Sequence, residues 1–187
     1  MRLRQRLTLT VLVALALGAL ADTARADTLV TANAGRVLGG DLDEGQLSYG
    51  AAIGFLGNGP LGFEVDLAYT PDFFGPSELT GKNNQVTLMA NLLLSVPVND
   101  SVRVYATGGA GIMKSRVEDV DPFFDVDQND FGVDLGGGVM LKLGQSFGVR
   151  GDVRYFRDVQ TRSDDLTKVD FGGLDYWRAV AGVTLRF

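Results

Sequence analysis

The sequence predicts an all-β fold: an eight-stranded antiparallel up-and-down transmembrane β-barrel, preceded by a cleaved N-terminal signal peptide. Three observations carry that prediction. Hydrophobicity alternates with a period of two in segments of about ten residues. The connections between these segments alternate between short and long. One face of each segment is an apolar band free of charge, with aromatic residues toward its ends.

The first 26 residues stand apart from the rest. Arg2, Arg4 and Arg6 give a positive start, and Leu7 to Leu20 is an apolar run broken only by Thr8 and Thr10. Ala24-Arg25-Ala26 places small residues where a signal peptidase reads them, so cleavage is expected after Ala26. The run falls short of the roughly 20 apolar residues of a spanning helix. No Cys follows it, which excludes a lipoprotein anchor. The expected organisation is a signal peptide over 1–26 and one barrel domain over 27–187.

The strands follow in order. The first, near Thr28 to Val37, is the least regular, with Val30, Ala32 and Ala34 outward and Thr31, Asn33 and Gly35 inward. The second alternates Leu47, Tyr49, Ala51, Ile53 and Phe55 with Ser48, Gly50, Ala52 and Gly54. The third sets Leu61, Phe63, Val65, Leu67 and Tyr69 against Glu64, Asp66 and small residues. The fourth and fifth place Val86, Leu88, Leu92 and Leu94, then Val102, Val104 and Ile112, on the apolar face. The sixth runs from Phe131 to Leu143, the seventh from Phe147 to Phe156, and the eighth from Tyr176 to Phe187. An even strand number suits a closed meander.

Long connections are expected at 38–46, 71–84, 113–130 and 158–175, and short ones at 57–60, 97–101 and 144–146. Tight turns at one end and long polar loops at the other are the shape of a membrane barrel. The face bearing Glu64, Asp66, Arg103, Asp134, Lys142, Arg150, Asp152, Arg154, Arg178 and Arg186 then points inward. The aromatics Tyr49, Phe55, Phe63, Tyr69, Phe131, Phe147, Tyr155, Trp177 and Phe187 lie near strand ends, where interfacial girdles sit.

Composition excludes several functions. Removing Arg2, Arg4, Arg6, Arg25 and Asp22 with the leader lowers 17 basic and 23 acidic residues to 13 and 22. That balance disfavours nucleic acid, which needs a clustered basic surface. The chain has no Cys and no His, so it lacks a disulfide framework, a thiol nucleophile and the commonest general base. No cofactor is expected, and the chain is expected not to be an enzyme.

The last strand alternates Trp177, Ala179, Ala181, Val183 and Leu185 and ends on Phe187. With the meander and the leader, the chain resembles the small outer-membrane barrels of Gram-negative bacteria, the group of OmpA-type, OmpX-type and opacity-protein barrels. The resemblance covers the mature chain as architecture rather than through a unique motif. It implies that Trp177, Val183, Leu185 and Phe187 form a C-terminal assembly signal read by the barrel-insertion machinery. The alternative is an ordinary strand that ends in Phe. It also implies an outer-membrane location, with membrane lipid and lipopolysaccharide as partners. No peptidoglycan-binding domain is expected after Phe187, so a wall-linking role is unsupported. The group's lipid A palmitoyltransferase and deacylase rely on a His, which this chain does not have.

The four acids and six bases of the inward face are expected to form a salt-bridged interior, because eight strands enclose just enough room for side chains. The alternative is an Arg-lined pore. Losing Glu64 or Arg150 singly should therefore harm folding more than it changes permeability. Asp125, Asp127 and Asn129 copy the first three ligand positions of an EF-hand loop. Asp130 stands where that loop needs Gly and Gly136 where it needs Glu, so the strict calcium motif fails. A loose divalent-cation site or a solvated acidic loop remain the two readings. Phe73-Phe74 and Phe123-Phe124, in long loops, are candidates for a partner surface, a loop mini-core or the lipid interface.

The function expected is a non-enzymatic integral outer-membrane protein that supports envelope integrity or surface adhesion through acidic loops. The first alternative is a narrow channel or transporter for small or hydrophobic solutes. The second is a soluble periplasmic lipocalin-like barrel.

Overall fold

A computed structural model describes residues 27–39, 45–57, 59–73, 82–118, 125–159 and 175–187. It contains eight strands: β1 Asp27–Leu38, β2 Gln46–Leu56, β3 Leu61–Pro71, β4 Lys82–Pro97, β5 Val102–Glu118, β6 Asp125–Lys142, β7 Phe147–Asp158 and β8 Asp175–Arg186. Each pairs antiparallel with the next, and β8 pairs with β1, so the sheet closes into a barrel. At the seam Thr28 N donates to Phe187 O at 3.2 Å and Phe187 N to Thr28 O at 3.0 Å. Closure leaves no unpaired strand edge in hydrocarbon. The expected leader, 1–26, lies outside the described residues.

The register fixes the barrel's geometry. Moving from partner to partner from Thr28 through Phe55, Leu92 and Tyr155 returns the path to β1 at Leu38, ten residues along. Eight strands with that stagger tilt by about 40° from the barrel axis.

All three short turns hold four residues, at 57–60, 98–101 and 143–146. In the second of these the Asn99 side-chain oxygen accepts from Ser101 N at 2.9 Å and Val102 N at 2.8 Å. This is the local bond that makes Asn a turn residue. The opposite end carries all the longer connections, but one is shorter than expected. β5 and β6 run on to pair Glu118 with Asp125, so 113–130 is mostly strand, with only 119–124 between the strands. β4 likewise begins at Lys82. The apolar alternation stops near Ile112 and Phe131 because a sheet that leaves the membrane has water on both faces. Period-two hydrophobicity marks the lipid-facing part of a strand, not its full length.

The two faces are as expected. Leu92 and Leu135 are 62% and 68% exposed, whereas Glu64, Asp66, Arg154 and Arg178 are each 1% exposed. This overturns the lipocalin-like alternative, in which the apolar face would be inside. On β2 and β3, Phe55 and Phe63 lie six residues from Tyr49 and Tyr69, about 20 Å along a strand. Two aromatic girdles bound the apolar band.

Candidate functional site

The lumen is filled in layers. Inward side chains of β3, β6 and β7 supply the charged layer, and glycines on facing strands make the room it needs. A Cβ on Gly109 would sit 1.9 Å from Asn91 Oδ1, and one on Gly138 would sit 2.5 Å from Tyr105 Oη. Both positions require the absence of a side chain.

Arg150 and Arg154 are the centre of this layer. Arg150 Nη1 binds Glu64 Oε2, and its Nη2 lies 3.2 Å from Glu64 Oε1. Arg154 Nη2 donates to Glu64 Oε1 at 2.8 Å, and its Nε donates to Asp152 Oδ1 at 3.1 Å. Arg154 Nη1 also lies 3.5 Å from Asp134 Oδ2. Tyr105 completes the ring: its hydroxyl donates to Asp152 Oδ2 and accepts from Arg150 Nε, both at 2.6 Å. With the Asn91 amide nitrogen turned to Asp134, it donates at 2.6 Å and its oxygen accepts from Arg154 Nη1 at 2.9 Å. Arg154 is thus shared by three carboxylates and an amide.

A separate pair, Arg178 Nη2 with Asp66 Oδ1, lies nearer the long-loop end. Arg178 also stacks over Phe156, with its guanidinium carbon 4.8 Å from the ring centroid. Above it the lumen is capped by apolar side chains: Val37, Phe73, Met89, Met113, Phe156 and Tyr176, each 2% exposed or less. Phe156 stacks on Tyr176 at 5.0 Å, and Phe73 meets Tyr176 edge-on at 5.1 Å. Phe73 reaches the cap because Asp72 adopts a left-handed φ of 47°, which Asp tolerates better than most residues. Phe73 therefore packs inside the barrel mouth, not on an exposed surface. Phe74, Phe123 and Phe124 lie outside the described residues.

Toward the short-turn end, Leu29, Leu56 and Leu93 form a buried apolar floor. Below that floor the barrel opens into a vestibule of about 500 Å³. Arg186 there pairs with Asp27. Arg103 donates to Ser95 Oγ at 3.3 Å rather than to a carboxylate, and Lys142 lines the same cavity.

Eight of the ten inward charges named from sequence thus lie in ion pairs, while Arg103 and Lys142 do not. Sequence reasoning missed Tyr105, Asn91 and Asp27 as partners, although each sits at an inward position. It also missed the apolar cap and floor, because Met89, Leu93, Met113 and Phe156 are isolated apolar residues on an otherwise polar face, and only the closed barrel gathers them. The backbone of Asp125–Asp130 is extended strand, with Asp127 opposite Arg116 and Asn129 opposite Lys114. The side chains of Asp125, Asp127 and Asn129 lie outside the described residues. Among the described residues no group of three or more metal-ligating side chains gathers. Trp177, Val183 and Leu185 face lipid on β8, and Phe187 closes the β1–β8 seam.

Comparison with known proteins agrees with this geometry. Neisserial surface protein A superposes with a TM-score of 0.65 over 87% of this chain and 97% of its own, at 16% identity. Ail, the attachment invasion locus protein of Yersinia pestis, gives 0.56 over 87% and 99%, at 20% identity. The outer-membrane enzyme PagL gives 0.50 over 82% and 97%, at 11% identity. At these identities the likeness is one of fold. The sequence has no significant match among curated proteins. Residues 7–187 match the outer membrane protein beta-barrel domain, so the chain is an outer-membrane protein and belongs to that family.

Proposed function

We propose that this barrel is a non-enzymatic, non-conducting outer-membrane protein that supports the envelope and presents acidic loops to the cell's surroundings. The observation that carries this reading is the layered filling of the lumen. An apolar floor, a cross-linked charged layer and an aromatic cap follow one another along the axis. A conducting path would have to break each of them. The absence of His and Cys from the whole chain supports the non-enzymatic part. PagL has the same fold, but a fold does not carry chemistry with it.

The loops supply the surface part of the reading. Asp41, Asp43 and Glu44 lie between β1 and β2, Asp119 and Asp121 between β5 and β6, and Asp164, Asp165 and Asp170 between β7 and β8, where Arg162 and Lys168 offset two of the three. Ail was crystallised with the heparin analogue sucrose octasulfate. Loops this acidic would repel such a polyanion, so the partner they suit is cationic or bridged by divalent cations. Planar-bilayer recordings of the purified protein test the closed lumen. The expected result is no discrete conductance steps. Reproducible unitary steps from the wild-type barrel would establish the channel reading instead.

A further inference from the structure

The vestibule at the short-turn end has a layout that neither envelope support nor loop display requires. The first inward residue of β5, Arg103, and the last inward residues of β6 and β8, Lys142 and Arg186, put three cations at its rim. Arg103 lies opposite Met140 in the register, so Lys142, two residues on, is its diagonal neighbour on the same inner face. Two carboxylates share the cavity. Asp27 is taken by Arg186, and Asp100, in the 98–101 turn, pairs with neither remaining cation among the described residues. Arg103 is held in place by Ser95, whose hydroxyl donates onward to the Pro60 carbonyl at 3.4 Å.

Met140, Leu29 and Leu56 are the cross-strand partners of Arg103, Arg186 and Asp27, and the strand tilt carries each about 3 Å deeper than its partner, so the inner lining turns apolar. Farther along the lumen lie the buried Leu93 and the buried Arg150–Glu64 pair. A space charged at its open rim and apolar at its closed end suits an amphiphile that enters tail first. Its volume of about 500 Å³ is within the range of small-ligand pockets.

We propose that the vestibule binds a short single-chain anionic amphiphile from the periplasmic side. Its carboxylate or phosphate head lies between Arg103 and Lys142, and its tail rests on Leu29, Leu56 and Met140. Two cations without a carboxylate partner among the described residues attract an anion placed between them. The apolar floor distinguishes this site from a surface patch that would take any anion.

The chain's methionines make the test internal. Met140 lies in the vestibule, whereas Met89 and Met113 lie in the cap at the far end of the lumen. Protein purified from outer membranes, labelled with methyl-13C methionine and held in phosphatidylcholine nanodiscs, is titrated with octyl phosphate, octanoate and octyl glucoside. Either anion should shift Met140 saturably and leave Met89 and Met113 unmoved, with the neutral glucoside at least tenfold weaker. A preference for octyl phosphate points to lysophospholipid-like ligands, and one for octanoate to free fatty acids. The R103Q/K142Q double variant should bind the anion at least tenfold more weakly. L56W, which fills the floor, should abolish binding while the cap methyls keep their wild-type shifts as evidence of a folded barrel. The proposal fails if Met140 responds equally to octyl glucoside. It fails too if the double variant binds as wild type does, or if neither anion moves Met140.

Discussion

Arg154 shows how much a single buried residue holds in this lumen. Its guanidinium serves Glu64, Asp152, Asp134 and, in the assigned orientation, Asn91. Replacing it with Met keeps much of its volume, leaves Asp134 without a cation and leaves Glu64 and Asp152 to Arg150 alone, in a layer closed off from water at both ends. Breaking a buried pair costs about 3–5 kcal/mol, mostly from the charge left behind. Arg154→Met should therefore lower stability by about that much in urea unfolding from lipid vesicles. Glu64→Gln should also lower stability, because its amide oxygen can accept from both arginines but its NH2 then faces the Arg150 Nη1 donor in place of Oε2. A double-mutant cycle between the two positions should be strongly non-additive, since they share one network. At this scale the sequence disclosed which charges face inward, because side-chain parity along a strand is rigid. It did not disclose pairing across the lumen. That Glu64 meets Arg150 and Arg154, while Asp66 meets Arg178, depends on the ten-residue stagger, which no local pattern encodes.

Single strands carry two different kinds of information. β5 and β6 show where sequence periodicity fails: their paired ends, 113–118 against 125–130, lie beyond the apolar band, and Lys114 and Arg116 take the outward positions that apolar residues hold up to Ile112. Only the partner strand defines them as strand. β8 shows the converse, since its alternation runs unbroken to the last residue. Its pairing from Trp177 with Leu38 to Arg186 with Leu29 is the final closure of the barrel. Phe187 adds two backbone bonds to Thr28 at the rim, and its side chain is 75% exposed to the lipid side. Such a ring adds little packing within the barrel, so an assembly signal and a stability element predict different outcomes when it is removed. Phe187→Ser should reduce the heat-modifiable, folded form in cells several-fold. Refolding of the same urea-denatured variant into detergent should proceed as for wild type. Equal loss in both settings would make Phe187 a stability element and not an assembly signal.

The whole molecule reverses the usual order of a globular protein, with charge inside and hydrocarbon side chains outside. Its stability should therefore respond to substitutions on its outer surface by their depth in the bilayer. Leu92 projects from the middle of β4 between Phe63 of β3 and Gly108 of β5, and Leu47 stands at the loop-end edge of β2. An Arg placed at Leu92 must bring its guanidinium through hydrocarbon, at a cost of about 2–4 kcal/mol. An Arg at Leu47 can extend its charge into the headgroups and should cost about 0–1 kcal/mol. In water these two exposed leucines would behave alike, each tolerating the change within about 0.5 kcal/mol. Urea titration of both variants in vesicles measures the difference directly. A gap of 2 kcal/mol or more places the lipid midplane across the middle of β4. Equal costs would mean that the band between the two aromatic girdles is not the hydrocarbon-spanning surface.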